Sequence, residues 1–228
     1  MRGPIVRVET GIPGLDKLLT GGFVKNSIIL LSGASGTGKT IFGSQFIWRG
    51  LLKGENGIYL SFEEPSEDIL TSAYQLGMDF EKYIRAKRCA FEYIPPHSLD
   101  EVDFEIFKRI ERIQAKRLVI DSLTILSLAT KSDDEAKMRS RMFDILQKIK
   151  KSGVTSLVIS EVLEGQTGVS RFGFEEFIAD GVIQLHYLEY SIGGVPRSMI
   201  IRKMRNTKHG LDIYPFEITE RGIMLKAR

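Results

Sequence analysis

A chain of 228 residues, 43% hydrophobic and 27% charged, has the balance of one globular domain with a sizeable core, which excludes collagen-like, disordered and disulfide-framework classes. Its 32 basic and 29 acidic residues leave a net charge of +3, too small by itself to imply a polyanionic partner. Cys89 is the only cysteine, so neither an internal disulfide nor a thiolate metal site can form, and the composition fits a reducing, cytoplasmic setting. Charges interrupt the first ten residues, where a signal peptide needs an apolar stretch. No apolar run approaches the ~18 residues of a membrane-spanning helix. The sequence therefore predicts a soluble protein with no membrane partner.

Short apolar runs bounded by Gly, Ser or charge recur at Ser27 to Ser32, Gly57 to Phe62, Leu118 to Asp121 and Val154 to Ser160, and each reads as a buried parallel strand. The stretch Ile41 to Leu52 follows the first as a helix. Pro65 and Ser66 precede Ile69, Leu70 and Ala73 as a turn with a serine N-cap opening another helix. Val102, Ile106, Ile110 and Ile113, then Met138, Met142, Ile145, Leu146 and Ile149, keep helical spacing and predict two crossover helices. Alternation of this kind specifies an α/β fold, an open and mostly parallel sheet with helices on both faces and ligands outside the carboxyl ends of the strands. From Val182 to Leu225 the pattern changes to strand-like runs joined by short turns, an antiparallel C-terminal extension of the sheet. No linker or internal repeat divides residues 1–228, which are read as one domain.

The segment GASGTGKT, residues 33–40, directly follows the first strand and opens a helix. It fits G-x-x-x-x-G-K-[ST], whose glycines let backbone N–H groups turn inward around phosphate oxygens while the helix N-terminus adds partial positive charge. The candidate nucleotide contacts are Gly33, Ala34, Ser35, Gly36, Thr37, Gly38, Lys39, Thr40 and Ile41. Lys39 would reach the outer phosphates and the Thr40 hydroxyl would ligate magnesium. Asp121, closing a buried strand, is the candidate for holding the magnesium hydration shell. The expected ligands are therefore ATP and Mg2+.

The residue after Asp121 is Ser122, so a water-activating carboxylate must come from elsewhere. The strand Gly57 to Phe62 ends in Glu63 and Glu64, two carboxylates at the same sheet edge as the glycine loop. Adjacent side chains on a strand point to opposite faces, so one of the pair faces the γ-phosphate, and Glu63 is preferred. Ser160 and Glu161 end another strand, where a polar group can sense the γ-phosphate. Ser191 to Leu211 contains no acid but carries Arg197, Arg202, Lys203, Arg205, Lys208 and His209. Lys203 and Arg205 are two apart on a strand, hence on one face, and two cations aimed together would oppose the charge developing on a transferring phosphoryl group.

With these pieces placed, the chain resembles a single KaiC-type domain of the RecA/RadA superfamily of P-loop ATPases. The resemblance rests on TGIPGLDKLL from Thr10, GASGTGKT, SFEEP, VIDS, the stretch from Gly168 through Asp180 to Ile183, and the segment from Lys203 to His209. It implies a RecA-like fold and a homo-oligomeric ring, usually of six subunits, with ATP at each interface. The loop and Glu63–Glu64 would come from one protomer, and Lys203, Arg205 and His209 from the next. The departures are Asn206, where the motif usually has glycine, and copy number, since the clock protein KaiC carries two such domains and this chain carries one. The expected activity is ATP hydrolysis that switches the ring between states read by a protein partner. Two alternatives are a DNA-binding accessory of recombination or repair, suggested by the basic segment, and autophosphorylation on Ser122, Thr124 or Ser127.

Overall fold

The computed structural model describes residues 3–95, 99–124, 135–163, 168–188 and 197–226. Eleven strands are assigned among them: β1 Arg7–Val8, β2 Phe23–Val24, β3 Ile28–Gly33, β4 Gly57–Ser61, β5 Cys89–Tyr93, β6 Arg117–Asp121, β7 Thr155–Glu161, β8 Gly181–Tyr187, β9 Arg197–Met204, β10 Ile213–Thr219 and β11 Gly222–Leu225. The helices are α1 Leu15–Leu18, α2 Lys39–Leu52, α3 Ser66–Gln75, α4 Glu81–Arg85, α5 Leu99–Ile113, α6 Glu135–Lys151 and α7 Glu175–Ile178. β1 and β2 form a small antiparallel ribbon, and the other nine strands form one sheet in the order β11-β10-β9-β8-β3-β7-β6-β4-β5. From β8 to β5 every pairing is parallel, and from β8 outward to β11 every pairing is antiparallel. The predicted mostly parallel sheet and its antiparallel extension are thus observed. β8 serves both: it runs parallel to β3 on one side and antiparallel to β9 on the other.

The apolar strand runs are buried on both faces because helices cover both. Ile29, Leu31, Tyr59, Val119 and Ile159 point to the side of α2, where Phe42, Phe46 and Ile47 meet them. Ile28, Leu30, Ile58, Leu118 and Val158 point the other way, onto Val102, Ile106 and Ile110 of α5 and Met142, Ile145 and Ile149 of α6. The two helical periodicities read from sequence are therefore the inner stripes of one layer. Two local expectations change. The N-cap of α3 is Pro65, with Ser66 as its first helical residue and no side-chain cap bond. β5 is an additional edge strand, pairing in parallel with β4. Ser127 lies outside the described residues, as do residues 191–196 of the basic segment.

A fully buried arginine ties the amino ends of the strands together. Arg117, at the start of β6, is 1% exposed. Its Nε donates to Glu55 at 2.6 Å, and its Nη1 donates to the carbonyls of Glu9 at 2.6 Å and Phe46 at 2.8 Å. The guanidinium also lies 4.6 Å from the Phe46 ring centroid. It fits because α2 has no side chain at Gly50, where a Cβ would sit 2.4 Å from Arg117 Cδ. A second clamp joins β3 to β8. The Asp180 N–H donates to the Ile28 carbonyl at 2.8 Å, and the Ile28 N–H donates to Asp180 Oδ2 at 3.1 Å. Lys150 Nζ, 2.6 Å from Asp180 Oδ1, brings α6 to the same carboxylate.

Two stability outcomes follow from these clamps. Alanine at position 50 gains about 1 kcal/mol of helix propensity, but overpacking a filled site costs about 1–3 kcal/mol. Gly50→Ala is therefore expected to lower the unfolding free energy in denaturant titrations, and a stabilised variant would show that Arg117 is free to move. Burial alone would raise the Asp180 pKa, but the bonds from Lys150, the Ile28 amide and Arg205 hold it below the usual aspartate value. A depressed carboxylate stabilises the fold above its unfolded pKa of about 3.9 and loses that contribution as pH falls through the folded value. Asp180→Asn should therefore destabilise the chain at pH 7 and narrow the gap to wild type below about pH 4, measured as unfolding free energy against pH.

Candidate nucleotide site

The loop between β3 and α2 stands at the carboxyl edge of the sheet, where β3 is flanked by β7 and β8. Gly36 and Gly38 hold φ of +74° and +103°, the left-handed region that bends the backbone around a cavity and that residues with a Cβ avoid. Gly38 is the N-cap of α2, so the first amides of that helix, from Lys39, Thr40 and Ile41, face the loop without helical acceptors. Within the loop, Thr37 Oγ1 donates to the Ala34 carbonyl at 2.8 Å. Gly33 is buried at the end of β3, while Ser35 and Gly36 are exposed. Residues 33–41 therefore form a cradle in which the first α2 amides face the loop as donors while the Thr37 amide donates to the Ala34 carbonyl at 3.4 Å.

Lys39 is 7% exposed, and its ammonium donates to the Ala34 carbonyl at 2.9 Å and to Glu161 Oε1, at the end of β7, at 3.4 Å. Thr40 Oγ1 donates to Asp121 Oδ2 at 3.1 Å, which brings together the two residues expected to hold magnesium. The same carboxylate oxygen accepts from the Tyr59 hydroxyl at 2.5 Å. Burial pushes the Asp121 pKa up, and the Tyr59 and Thr40 hydroxyls together with Lys39 hold part of that rise back. Among the described residues no cluster of three His, Cys, Asp or Glu is placed to hold a metal. A hydroxyl beside a carboxylate, next to a phosphate cradle, matches the way magnesium is bound, with one or two protein oxygens and the rest from phosphate and water.

β4 ends beside β6, with Ser61 paired to Asp121. Glu63 follows, within 3.4 Å of the Ser122 hydroxyl, which donates to Glu63 Oε2. The Glu63 pKa is raised by burial and then by Glu161, Asp121 and Glu64, with Lys39 opposing. The residue is nonetheless exposed to solvent, and the charged groups that act on it are those of the cradle. Glu64 is exposed and is fixed through its backbone, since its N–H donates to Ser61 Oγ at 3.0 Å and Ser61 Oγ donates to its carbonyl at 2.6 Å. Ser122 and Thr124 are both buried, and Thr124 Oγ1 accepts from the Glu161 amide at 3.0 Å.

Lys203 and Arg205 are not near the cradle of their own chain. The antiparallel register sets Tyr187 opposite Arg197 and Gly181 opposite Met204, while Gly33 pairs with Leu185 at the cradle edge. At about 3.3 Å per residue, the span from Arg197 to Lys203 puts Lys203 roughly 20 Å away along β9. Lys203 Nζ donates to the carbonyls of Glu176 at 2.8 Å and Ala179 at 2.7 Å. Arg205 donates to Asp180 at 3.2 Å and to the Phe177 carbonyl at 3.4 Å. His209 lies beyond β9, its Nδ1 2.9 Å from the Gly210 carbonyl. Asn206 has φ +56°, a left-handed conformation that asparagine tolerates better than most residues.

Among the described residues of the basic segment, the cation that does stand at the cradle is Arg197, which donates to the Gly36 carbonyl at 3.4 Å and lies 5.4 Å from the Tyr187 ring centroid. In sequence it was one of six basic residues in an acid-free segment. Its distance from Lys203 along one strand was the signal that the two sit at opposite sheet edges.

A family model described as "ATPase: KaiC" matches residues 8–228. UPF0273 proteins of Pyrococcus furiosus and Thermotoga maritima are 36% and 38% identical, covering 96% and 97% of this chain and 93% and 96% of theirs. The circadian clock oscillator protein KaiC of Synechococcus elongatus is 33% identical over 96% of this chain but only 44% of its own length. A crystal structure of a KaiC-like protein from Pyrococcus horikoshii superposes with a TM-score of 0.89 at 38% identity, covering 98% of this chain and 100% of that one. Fold, cradle and sequence likeness over nearly the whole length agree, and the chain belongs to the KaiC ATPase family.

Proposed function

We propose that the chain is a magnesium-dependent ATPase whose active site is completed by a second copy of itself in a ring, most simply a hexamer, and whose hydrolysis switches that ring between states read by a protein partner. The observation that carries this reading is the division of charge along the sheet. The cradle, Thr40, Asp121 and Glu63 share one edge, while Lys203 and Arg205 hold the other. One chain cannot bring both to one phosphate.

In this reading the amides of residues 33–41 and the Lys39 ammonium bind the β- and γ-phosphates. Bound with the nucleotide through Thr40 and Asp121, magnesium supplies charge neutralisation at the phosphate oxygens. Glu63 orients a water and accepts its proton as the water oxygen bonds to the γ-phosphorus and the bond to the β–γ bridging oxygen breaks. Lys203 and Arg205 of the neighbour offset the charge that builds on the equatorial oxygens, with His209 beside them. Glu161, already paired with Lys39, is placed to register whether a γ-phosphate is present. Among the described residues, Arg202 donates to Gln184 at 2.9 Å, and Lys203 and Arg205 have internal acceptors, so these cations are less available to DNA than the sequence of the segment implies.

Two experiments test this. Glu63→Gln should lower kcat by about 10²- to 10⁴-fold while leaving nucleotide binding in place. Because the Glu63 pKa is raised and the base acts deprotonated, wild-type kcat/KM should fall with decreasing pH at a value above the ordinary glutamate pKa of about 4.3. That limb should be missing from the residual activity of the variant. Arg205→Ala should reduce turnover by about 10³-fold or more, and so should Lys39→Ala, which loses the phosphate ligand but keeps Arg205. Mixing the two inactive chains should restore phosphate release, because some interfaces then pair an intact cradle with an intact Arg205. Mixtures as inactive as their components would rule out completion by a second copy.

A further inference from the structure

Tyr59 is a core residue by every sequence criterion, and a phenylalanine would fill its place. It lies within β4, opposite Val119 of β6, and is 0% exposed. Its ring stacks on Phe91 of β5 at 5.1 Å and 12°. On the other side α2 presses close, since a Cβ at Gly43 would lie 2.9 Å from ring Cε2. The ring cannot swing, so its hydroxyl is held at one point, 2.5 Å from Asp121 Oδ2. A buried hydroxyl without a partner is costly, and this one spends its proton on the carboxylate that also accepts from Thr40.

We propose that Tyr59 is a positioning residue for magnesium. Its hydroxyl and that of Thr40 together occupy Oδ2, which fixes the carboxylate plane and leaves Oδ1 for the hydration shell of the metal. Thr40 meanwhile keeps a lone pair for the ion while its O–H donates to Asp121. Lys39 does not substitute for the phenol, because its ammonium donates to Ala34 and Glu161 instead. Partners that orient a metal-binding carboxylate in this way commonly change metal affinity by about 10–100-fold when removed. The inference rests on the reading that a magnesium nucleotide occupies the cradle, and it adds the group that sets the metal requirement of that site.

The test is Tyr59→Phe, which keeps the ring, the stack on Phe91 and the fit over Gly43. Binding of a fluorescent ADP analogue to the full chain is measured first with chelator and then across a magnesium titration. Metal-free affinity should stay within about twofold of wild type, while the magnesium concentration for half-maximal tightening should rise about tenfold. Phe80→Leu serves as the packing control. It thins the core beside Phe91 while keeping both the Tyr59 hydroxyl and the Phe91 ring it stacks on, and its magnesium requirement should match wild type. An unchanged requirement in Tyr59→Phe, or an equal rise in Phe80→Leu, overturns the positioning role. If magnesium fails to tighten nucleotide binding in the wild-type chain, the reading beneath it is wrong and the Tyr59 role falls with it.

Discussion

A buried ammonium organises the site. Lys39 is withdrawn from solvent at the start of α2, and its charge is met by one backbone carbonyl and by Glu161. A charge in that position is costly unless it is compensated by hydrogen bonds and opposite charge. Three carboxylates, Glu161, Asp121 and Glu63, gather around it, each the end of a different strand or the turn just after it. Burial first, then Glu161, Asp121 and Glu64, push the Glu63 pKa up, and Lys39 opposes that rise. A cradle of amides flanked by Lys39, Arg197 and several carboxylates is electrostatically unfinished, and in the proposed reading a triphosphate carried by a divalent ion would supply both signs of missing charge.

The sheet topology turns this local imbalance into a directional molecule. β8 pairs in parallel with β3 and antiparallel with β9, so the chain that leaves the cradle edge along β9 arrives at the opposite edge. Arg197 begins that strand near Gly36, and Lys203 lies near its far end. The same far edge holds the Arg117 and Asp180 clamps, which fix the amino ends of β6, β3 and β8. The two clamps thus tie the amino ends, while the cradle, Asp121 and Glu63 stand at the carboxyl ends, where open α/β sheets carry their ligands.

Much of this was legible in the sequence, for physical reasons that also mark the limits. The strands around Leu30, Leu60 and Val158 announce themselves because burial on both faces demands continuous apolar runs. The cradle announces itself because few residue types permit its backbone. Cys89 to Tyr93 did not, since an edge strand that ends in Glu92 and Tyr93 lacks that continuity. Arg117 reads as a charged boundary before an apolar run, and only the gap left by Gly50, distant in sequence, shows that it is buried. Tyr59 reads as core and is core. Its hydroxyl gains meaning only from Asp121, 62 positions away and brought adjacent by the pairing of β4 with β6.

The resting positions of Lys203 and Arg205 complete the argument about the second copy. Both cations are held by carbonyls at the end of α7, where a helix presents partial negative charge. Burial and the neighbouring Arg205 lower the Lys203 pKa, so this ammonium is not comfortably solvated where it sits. Carbonyl acceptors are weaker partners for a cation than an anionic phosphate is. A phosphate offered by a neighbouring subunit would therefore compete favourably for Lys203, and α7 would feel the loss of its ligands. In that arrangement the same carbonyls that order the cations in the free chain give the neighbour's nucleotide a mechanical handle on the segment from Gly168 to Asp180. That segment reaches back through Ser160, which donates to the buried Glu175 carboxylate at 3.3 Å, to the strand carrying Glu161. Cradle and far edge are joined within one chain by β7 and α7, and in the proposed ring a phosphate would join them between chains, the connectivity needed to pass nucleotide state from subunit to subunit.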